Sequence, residues 1–401
     1  MAGAGVIDID TALAQLLSGA APLGTEIAPL AQAHGRIVAS DIDALLTQPP
    51  FGASAMDGYA VRWMDMPGPW RVIGEAAAGR GFASEIGAGA AVRIFTGAPV
   101  PAGADTIVVQ EEMARAGDVA TLSGEGPSRR GAHVRAAGQD FARDARIASV
   151  GDRLTPARLG LLAAAGYGAV PVVRRPRVTL IATGDELVLP GIVPGQDQTV
   201  SSNPVMIGAL FESIGAVVTD PGIVGDSKTA LAAALGSVDA DVIVTIGGAS
   251  VGDHDLVVPV LRDLGSEIDF WNIAMRPGKP MFAGRLGTTR IVGLPGNPVS
   301  AFVCALLFAV PLLARLGGRD HRFPMEMLPL AGPLRANGDR RDQLRAQRTP
   351  DGAMAFAAQD SARLGILASA DLLIIRAPDA PAADAGEMVS CIALDMFSAV
   401  S

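Results

Sequence analysis

Cysteine is almost missing from this chain. There are 2 in 401 residues, Cys304 and Cys391, which is too few for a disulfide framework. Cys304 sits in an apolar run and reads as a buried free thiol, which fits a reducing compartment. Lysine is equally scarce: only Lys228 and Lys279 occur, so nearly all positive charge is arginine and a lysine at 279 stands out. Positive charge is short overall, with a net charge of -9 and a pI of about 5.0. That argues against a nucleic-acid binder, which carries a broadly basic surface, but leaves room for a local basic pocket. The histidines, His34, His133, His254 and His321, lack zinc-like spacing, and no Ser/His/Asp arrangement is visible. Residues 299–314 are almost wholly apolar, yet Pro311 interrupts them and they fall short of the ~20 residues that a spanning helix needs. They read as a buried helix, so no membrane association is expected. Residues 1–10 carry acids and no basic segment, unlike a signal peptide, and the expected location is cytoplasmic.

What is present is globular. Hydrophobic residues make up 49%, and 48 glycines and 28 prolines call for many turns. The length suggests two to four domains. Residues 8–20 have the apolar spacing of an amphipathic helix. From about 58 to 151, short β-like runs such as 70–73, 91–95, 106–110 and 119–122 alternate with Gly/Pro turns, which marks an all-β section. Helical periodicity returns at 153–165, and this helix and the first one are expected to pack together with the β section inserted between them. From 178 onward, strands at 178–182, 217–224, 242–246 and 290–294 alternate with helices at 203–214, 228–235, 256–264 and 299–314. That alternation predicts a mostly parallel sheet covered on both faces. After 318 the pattern reverts to β, with strands at 328–334, 342–349, 354–357 and 371–376.

In an open α/β sheet, ligands bind outside the carboxyl ends of the strands. Here those ends run into Thr183-Gly184-Asp185-Glu186, Gly247-Gly248-Ala249-Ser250-Val251-Gly252-Asp253 and Pro295-Gly296-Asn297-Pro298, joined by Arg276-Pro277-Gly278-Lys279-Pro280. Glycines let backbone N–H groups approach a phosphate, and a following helix N-terminus adds a favourable dipole. Ser250 can donate a hydroxyl, while Arg276 and Lys279 supply charge. Neither a Walker loop nor the Gly-x-Gly-x-x-Gly fingerprint is present. Asp185, Glu186, Asp226, Asp253 and Asp255 flank these loops. Singly, Asp226 and Asp253 suit helix N-caps; together the acids suit a magnesium–phosphate site. Read alone, Ser54–Arg62, Arg93–Pro101 and the Arg129–Asp140 stretch are turns and a solvated basic face.

Taken in order, Ser54–Arg62, Arg93–Pro101, Thr183–Leu187, Gly247–Asp255, Arg276–Pro280 and Gly293–Ala301 resemble the MoeA family of molybdopterin molybdenumtransferases, relatives of the gephyrin C-terminal domain. The resemblance covers nearly the whole chain. It implies a multidomain α/β fold: a MogA-like three-layer α/β/α sheet domain at 175–318, an inserted all-β domain at 51–144, an N-terminal helical linker domain formed by 1–50 with 145–174, and a C-terminal β-barrel domain at 319–401. It implies that molybdate is inserted into adenylated molybdopterin with release of AMP and with Mg2+. It also implies a homodimer, with the active site between the sheet domain and the β section of the other subunit, and transient contact with other molybdenum-cofactor proteins.

By position, Gly247, Gly248, Ser250, Gly252, Asp255, Pro295, Gly296, Asn297 and Ser300 would line the substrate site. Arg276 and Lys279 would neutralise phosphates and draw in molybdate. Glu186, Asp226 and Asp255 would hold magnesium or position the attack, and Asp57, Thr96 and Asp140 would complete the catalytic set. Position 276 is often lysine in the family, and the acid usual near 201–203 is replaced by Ser201-Ser202-Asn203. Two other readings compete. A gephyrin-like scaffold with a vestigial site fits poorly with the retained acids and cations. A molybdopterin adenylyltransferase is usually the sheet domain alone, whereas β domains flank it here. Tungstate in place of molybdate stays open at this level.

Overall fold

The computed structural model describes residues 6–248 and 256–394. Two compact units divide the chain: Ile27–Val172, and Met1–Glu26 together with Val173–Ser401.

The larger unit is built on a sheet of strand order Val217–Thr219, Arg177–Thr183, Val242–Ile246, Thr289–Leu294, Pro280–Leu286, Glu267–Asn272, with Ile223–Val224 also pairing Arg177–Thr183. The strands from Val217–Thr219 to Thr289–Leu294 are parallel, and Pro280–Leu286 and Glu267–Asn272 extend the sheet antiparallel. Side chains alternate between the faces as a strand's period of two requires. Val178, Leu180, Val242, Val244, Ile246, Val292 and Leu294 join one core, while Ile181, Ile243 and Ile291 join another. Helices Asn203–Ser213 and Pro298–Leu316 cover the first face, and Lys228–Gly236 and Val257–Asp263 cover the second, giving three layers. Helix starts carry local caps: Ser227 accepts from Ala230 N at 3.2 Å and Asp8 from Thr11 N at 2.9 Å.

The expected apolar helix runs farther than its sequence pattern indicates. It continues through Pro311, over Pro298–Leu316, by opening into a π turn at Ala305–Ala309. A π turn accommodates a residue that cannot make its α-helical hydrogen bond. By length and composition this helix could cross a membrane, but 89% of its apolar window is buried in the core of the unit.

Residues 6–26 depart from the expected organisation. Helix Ile9–Leu17 places Ile9, Ala12 and Leu16 in the core of the sheet unit, beside Leu312 and Leu313, whereas helix Pro156–Ala164 belongs to the other unit. The segment is too short to form a core of its own, so its apolar stripe is buried where a large apolar face is on offer.

The C-terminal part of this unit is a sheet of order Met275–Arg276, Arg341–Thr349, Leu372–Arg376, Met388–Ala393, Met325–Pro329. Gly352–Ala355 pairs with Arg341–Thr349, and the bridge Leu330↔Ala353 returns it to the chain leaving Met325–Pro329, so the sheet curls around a core of Leu330, Ala346, Leu372, Ile374 and Cys391.

The smaller unit contains a sheet of order Thr106–Val109, Gly58–Val61, Ala90–Ile94, Trp70–Ala76, Val119–Leu122, Met113–Ala116, with Trp70 fully buried. The rest of the unit packs around helix Pro156–Ala164, with Val38, Leu154, Leu162 and Val172 in a separate core. This part holds a single α-helix and short strand pairs among the described residues, so it is less helical than expected.

Candidate active site

The parallel strands end in loops that surround a cavity of about 740 Å³. Thr183, Gly184 and Glu186 line it from the end of Arg177–Thr183, Gly247 and Gly248 from the end of Val242–Ile246, and Pro295, Gly296 and Asn297 from the end of Thr289–Leu294. Asp226, Ser201, Asn203 and Pro280 complete much of the wall. The loops are locked to one another. Thr183 Oγ1 donates to Asp226 Oδ1 at 2.5 Å, Asp226 N donates to Asp185 Oδ1 at 3.0 Å, and Asp185 N donates to Asp226 Oδ2 at 3.4 Å. Asn203 Nδ2 donates to the Gly296 carbonyl at 2.7 Å, and Asn297 Nδ2 donates to Ser361 Oγ at 3.1 Å. Gly247 has φ +91°, and a Cβ there would lie 2.9 Å from the Thr183 carbonyl, so a side chain would force adjacent strand ends apart.

Helices Asn203–Ser213 and Pro298–Leu316 both start at this wall, so their dipoles favour an anion, although Pro204 and Pro298 lack an N–H and Val299 N already donates to the Ser361 carbonyl at 3.1 Å. Charged side chains have the opposite sign: among the described residues lining the cavity, Glu186 and Asp226 are ionisable and none is a cation. Asp226 is not the N-cap of the helix that follows it, because Ser227 fills that role.

The loop residues expected to act together are partly brought together. Gly247, Gly248, Pro295, Gly296, Asn297, Glu186 and Asp226 share the cavity. Ser250, Gly252 and Asp255 lie outside the described residues. Ser300 is buried in the first turns of its helix and does not line the cavity. Arg276 and Lys279 stand just before the wall residue Pro280, and Arg276 is turned to Asp342. Asn203, Ser201, Ala362 and Leu364 line the cavity without having been singled out as contacts. The start of a helix at Asn203 was a usable signal for the first two. The last two arrive from the C-terminal sheet region through long-range packing, which no local pattern reports.

In the smaller unit, two of the expected residues meet directly. Thr96 N and Thr96 Oγ1 donate to Asp57 Oδ1 at 2.7 and 2.8 Å. These bonds, with the Arg93 charge nearby, hold the Asp57 carboxyl below the ordinary aspartate range. Antiparallel pairing of Gly58–Val61 with Ala90–Ile94, Gly58 opposite Ile94, carries the two loops to the same sheet end. Arg93 is fixed there: its guanidinium stacks over Phe95 at 4.8 Å and Tyr59 at 5.2 Å and donates to the Gly58 carbonyl at 3.0 Å. Asp140 is exposed on a turn, its N–H donating to the Gln48 carbonyl at 3.1 Å.

A three-layer α/β unit with a loop-lined cavity outside the carboxyl ends of its parallel strands defines the class of open α/β sheets that place their ligand sites at this edge. Comparison with known proteins narrows the class. Residues 7–166 match the model of the MoeA N-terminal region, domains I and II, and residues 179–315 match that of a probable molybdopterin binding domain. The chain is similar to the molybdopterin molybdenumtransferase of Haemophilus influenzae, at 37% identity over 302 residues and 74% of each chain. It is likewise similar to molybdopterin molybdenumtransferase 2 of Mycobacterium tuberculosis, at 38% over 324 residues, 76% of this chain and 80% of the relative. The crystal structure of a molybdopterin biosynthesis MoeA protein from Pyrococcus horikoshii superposes with a TM-score of 0.85 at 30% identity, covering 97% of this chain and 99% of that one. The chain belongs to the MoeA family.

Proposed function

We propose that the protein is a molybdopterin molybdenumtransferase, which inserts molybdate into adenylated molybdopterin and releases AMP. The observation that carries the reading is the cavity, which is walled by glycine-bearing strand-end loops, two helix N-termini and two carboxylates within a chain of this family. Gly247, Gly248 and the Pro295-Gly296-Asn297 turn present backbone to the phosphates. Ser250, Gly252, Asp255 and Ser300 are assigned to the same substrate by resemblance.

Charge bears on the metal. Glu186 and Asp226 alone would repel a phosphate, and a bound divalent cation reverses that sign. Their oxygen donors fit magnesium, which takes one or two carboxylates and completes its shell with substrate phosphates and water. We assign Glu186 and Asp226 as holders, with Asp255 as a third. Bound magnesium supplies charge neutralisation at the phosphoanhydride. Lys279 attracts the oxyanion, and Asp57, Thr96 and Asp140 are catalytic in the proposal, Thr96 keeping Asp57 ionised. The dithiolene sulfurs come with the substrate, so the buried Cys304 and Cys391 have no part in the chemistry.

The test is AMP release by the purified full chain supplied with adenylated molybdopterin, molybdate and magnesium. AMP should appear, and removing magnesium with a chelator should stop it reversibly. Release at an unchanged rate under chelation would remove magnesium from the proposal; no release under any condition would remove the transferase. We further propose a homodimer in the cytoplasm.

A further inference from the structure

The loop Arg276-Pro277-Gly278-Lys279-Pro280 is pinned from two sides. On one side is the C-terminal sheet. Met275–Arg276 pairs parallel with Arg341–Thr349, placing Arg276 opposite Asp342. Arg276 Nε donates to Asp342 Oδ1 and Oδ2 at 2.9 and 3.0 Å, and Nη2 donates to Oδ2 as well. The Asp342 side chain is 4% exposed against 57% for Arg276, so the carboxylate is the fixed partner and the guanidinium folds onto it. The Gln343 amide, oriented to satisfy its neighbours, donates to the Arg276 carbonyl at 3.0 Å. On the other side is the long apolar helix. Gly278 has φ +110°, and a Cβ there would lie 2.4 Å from Cys304 Sγ. The Lys279 carbonyl accepts from Ile273 N at 3.1 Å. Lys279 is itself exposed and has no ion-pair partner among the described residues.

We propose that Asp342 is a positioning residue for this loop: by clamping Arg276 at the loop's first residue, it fixes Lys279 as the side chain that meets the anion. A lysine at 276 could not make the same contact, because only the planar guanidinium fork can engage a carboxylate through two nitrogens at once. Arg276 is thus a tether in this chain, its charge answered by Asp342, and the cation of the loop without an ion-pair partner among the described residues is Lys279. Burial pushes the pKa of the nearby Arg345 guanidinium down, and the Asp342 charge opposes that shift. The inference rests on the proposed role of Lys279 in anion binding.

A double-mutant cycle tests it, with kcat/KM for molybdate read from AMP release by the full chain. Lys279→Gln should lower kcat/KM by about 10- to 100-fold, the scale of a lost charge-assisted contact. Asp342→Asn should lower it on the order of tenfold. The double variant should be no worse than Lys279→Gln alone, because Asp342 acts through Lys279. Losses that multiply, or an unchanged Asp342→Asn, would overturn the inference while leaving the transferase reading in place; inactive wild-type protein would overturn that reading instead. A second measurement needs no activity: amide hydrogen exchange across 276–280 should speed by about tenfold in Asp342→Asn. Unchanged exchange would show that Asp342 does not hold the loop. If Asp342→Asn does not fold, Arg276→Lys breaks the fork from the exposed side and should show the same two effects at smaller size; wild-type exchange and kinetics in that variant would refute the clamp.

Discussion

Thr96 sends both its backbone N–H and its hydroxyl to one oxygen of Asp57, and that geometry sets the protonation state of a proposed catalytic acid. Hydrogen bonds to the charged form lower a carboxyl pKa, so Asp57 stays ionised to a lower pH than a free aspartate. The interaction is complete above the ordinary aspartate range and is lost as pH falls through the depressed value. Thr96→Val removes the hydroxyl and keeps the backbone donor. It should therefore move the acid limb of the kcat/KM profile to higher pH. A profile superimposable on wild type at its acid limb would show that the hydroxyl does not tune the acid in turnover. Neither residue declares itself in isolation: in the sequence both look like turn residues, and only the resemblance singled them out. Their meeting depends on strand register between Gly58–Val61 and Ala90–Ile94, which spacing alone does not report.

Elements with strong periodicity were legible, and those that borrow their environment were not. Strands at 178–182, 242–246 and 290–294 lie within the observed Arg177–Thr183, Val242–Ile246 and Thr289–Leu294, because a strand buried on both faces is a continuous apolar run. Strand Pro280–Leu286 was missed: its opening residues were read as the end of a cationic loop, and Gly284 breaks the apolar run. Its partner explains another glycine. Phe282 sits opposite Gly293, and a Cβ at 293 would lie 2.0 Å from the Phe282 ring. Gly293→Ala should thus lower unfolding stability by roughly 1–3 kcal/mol, the cost of overpacking a core, as read from urea denaturation. A midpoint equal to wild type would mean that the ring moves aside freely. The clamp between Arg276 and Asp342 belongs to the same scale, since the short strand Met275–Arg276 exists only through pairing with Arg341–Thr349.

At the scale of the whole molecule, the order of structural regimes was legible: β, then alternating α/β, then β. The assignment of residues 6–26 was not, because a short amphipathic helix states that it needs an apolar partner without stating which one. The same limit applies to the cavity. Its floor of strand-end loops follows from sheet topology, whereas Ala362 and Leu364 reach it from a region some sixty residues further along the chain. The proposed homodimer predicts a solution mass near twice the 40.8 kDa of one chain by light scattering; a single-chain mass across micromolar concentrations would refute it.

The proposed reaction needs a cavity that holds an adenylated, phosphorylated ligand while an oxyanion arrives to react. Its most direct test is the molybdate dependence of AMP release by the purified protein at fixed magnesium and adenylated molybdopterin. Release should rise with molybdate to saturation and fall sharply in Lys279→Gln and Asp57→Ala. AMP release that ignores molybdate, or its complete absence in well-folded protein, would contradict it.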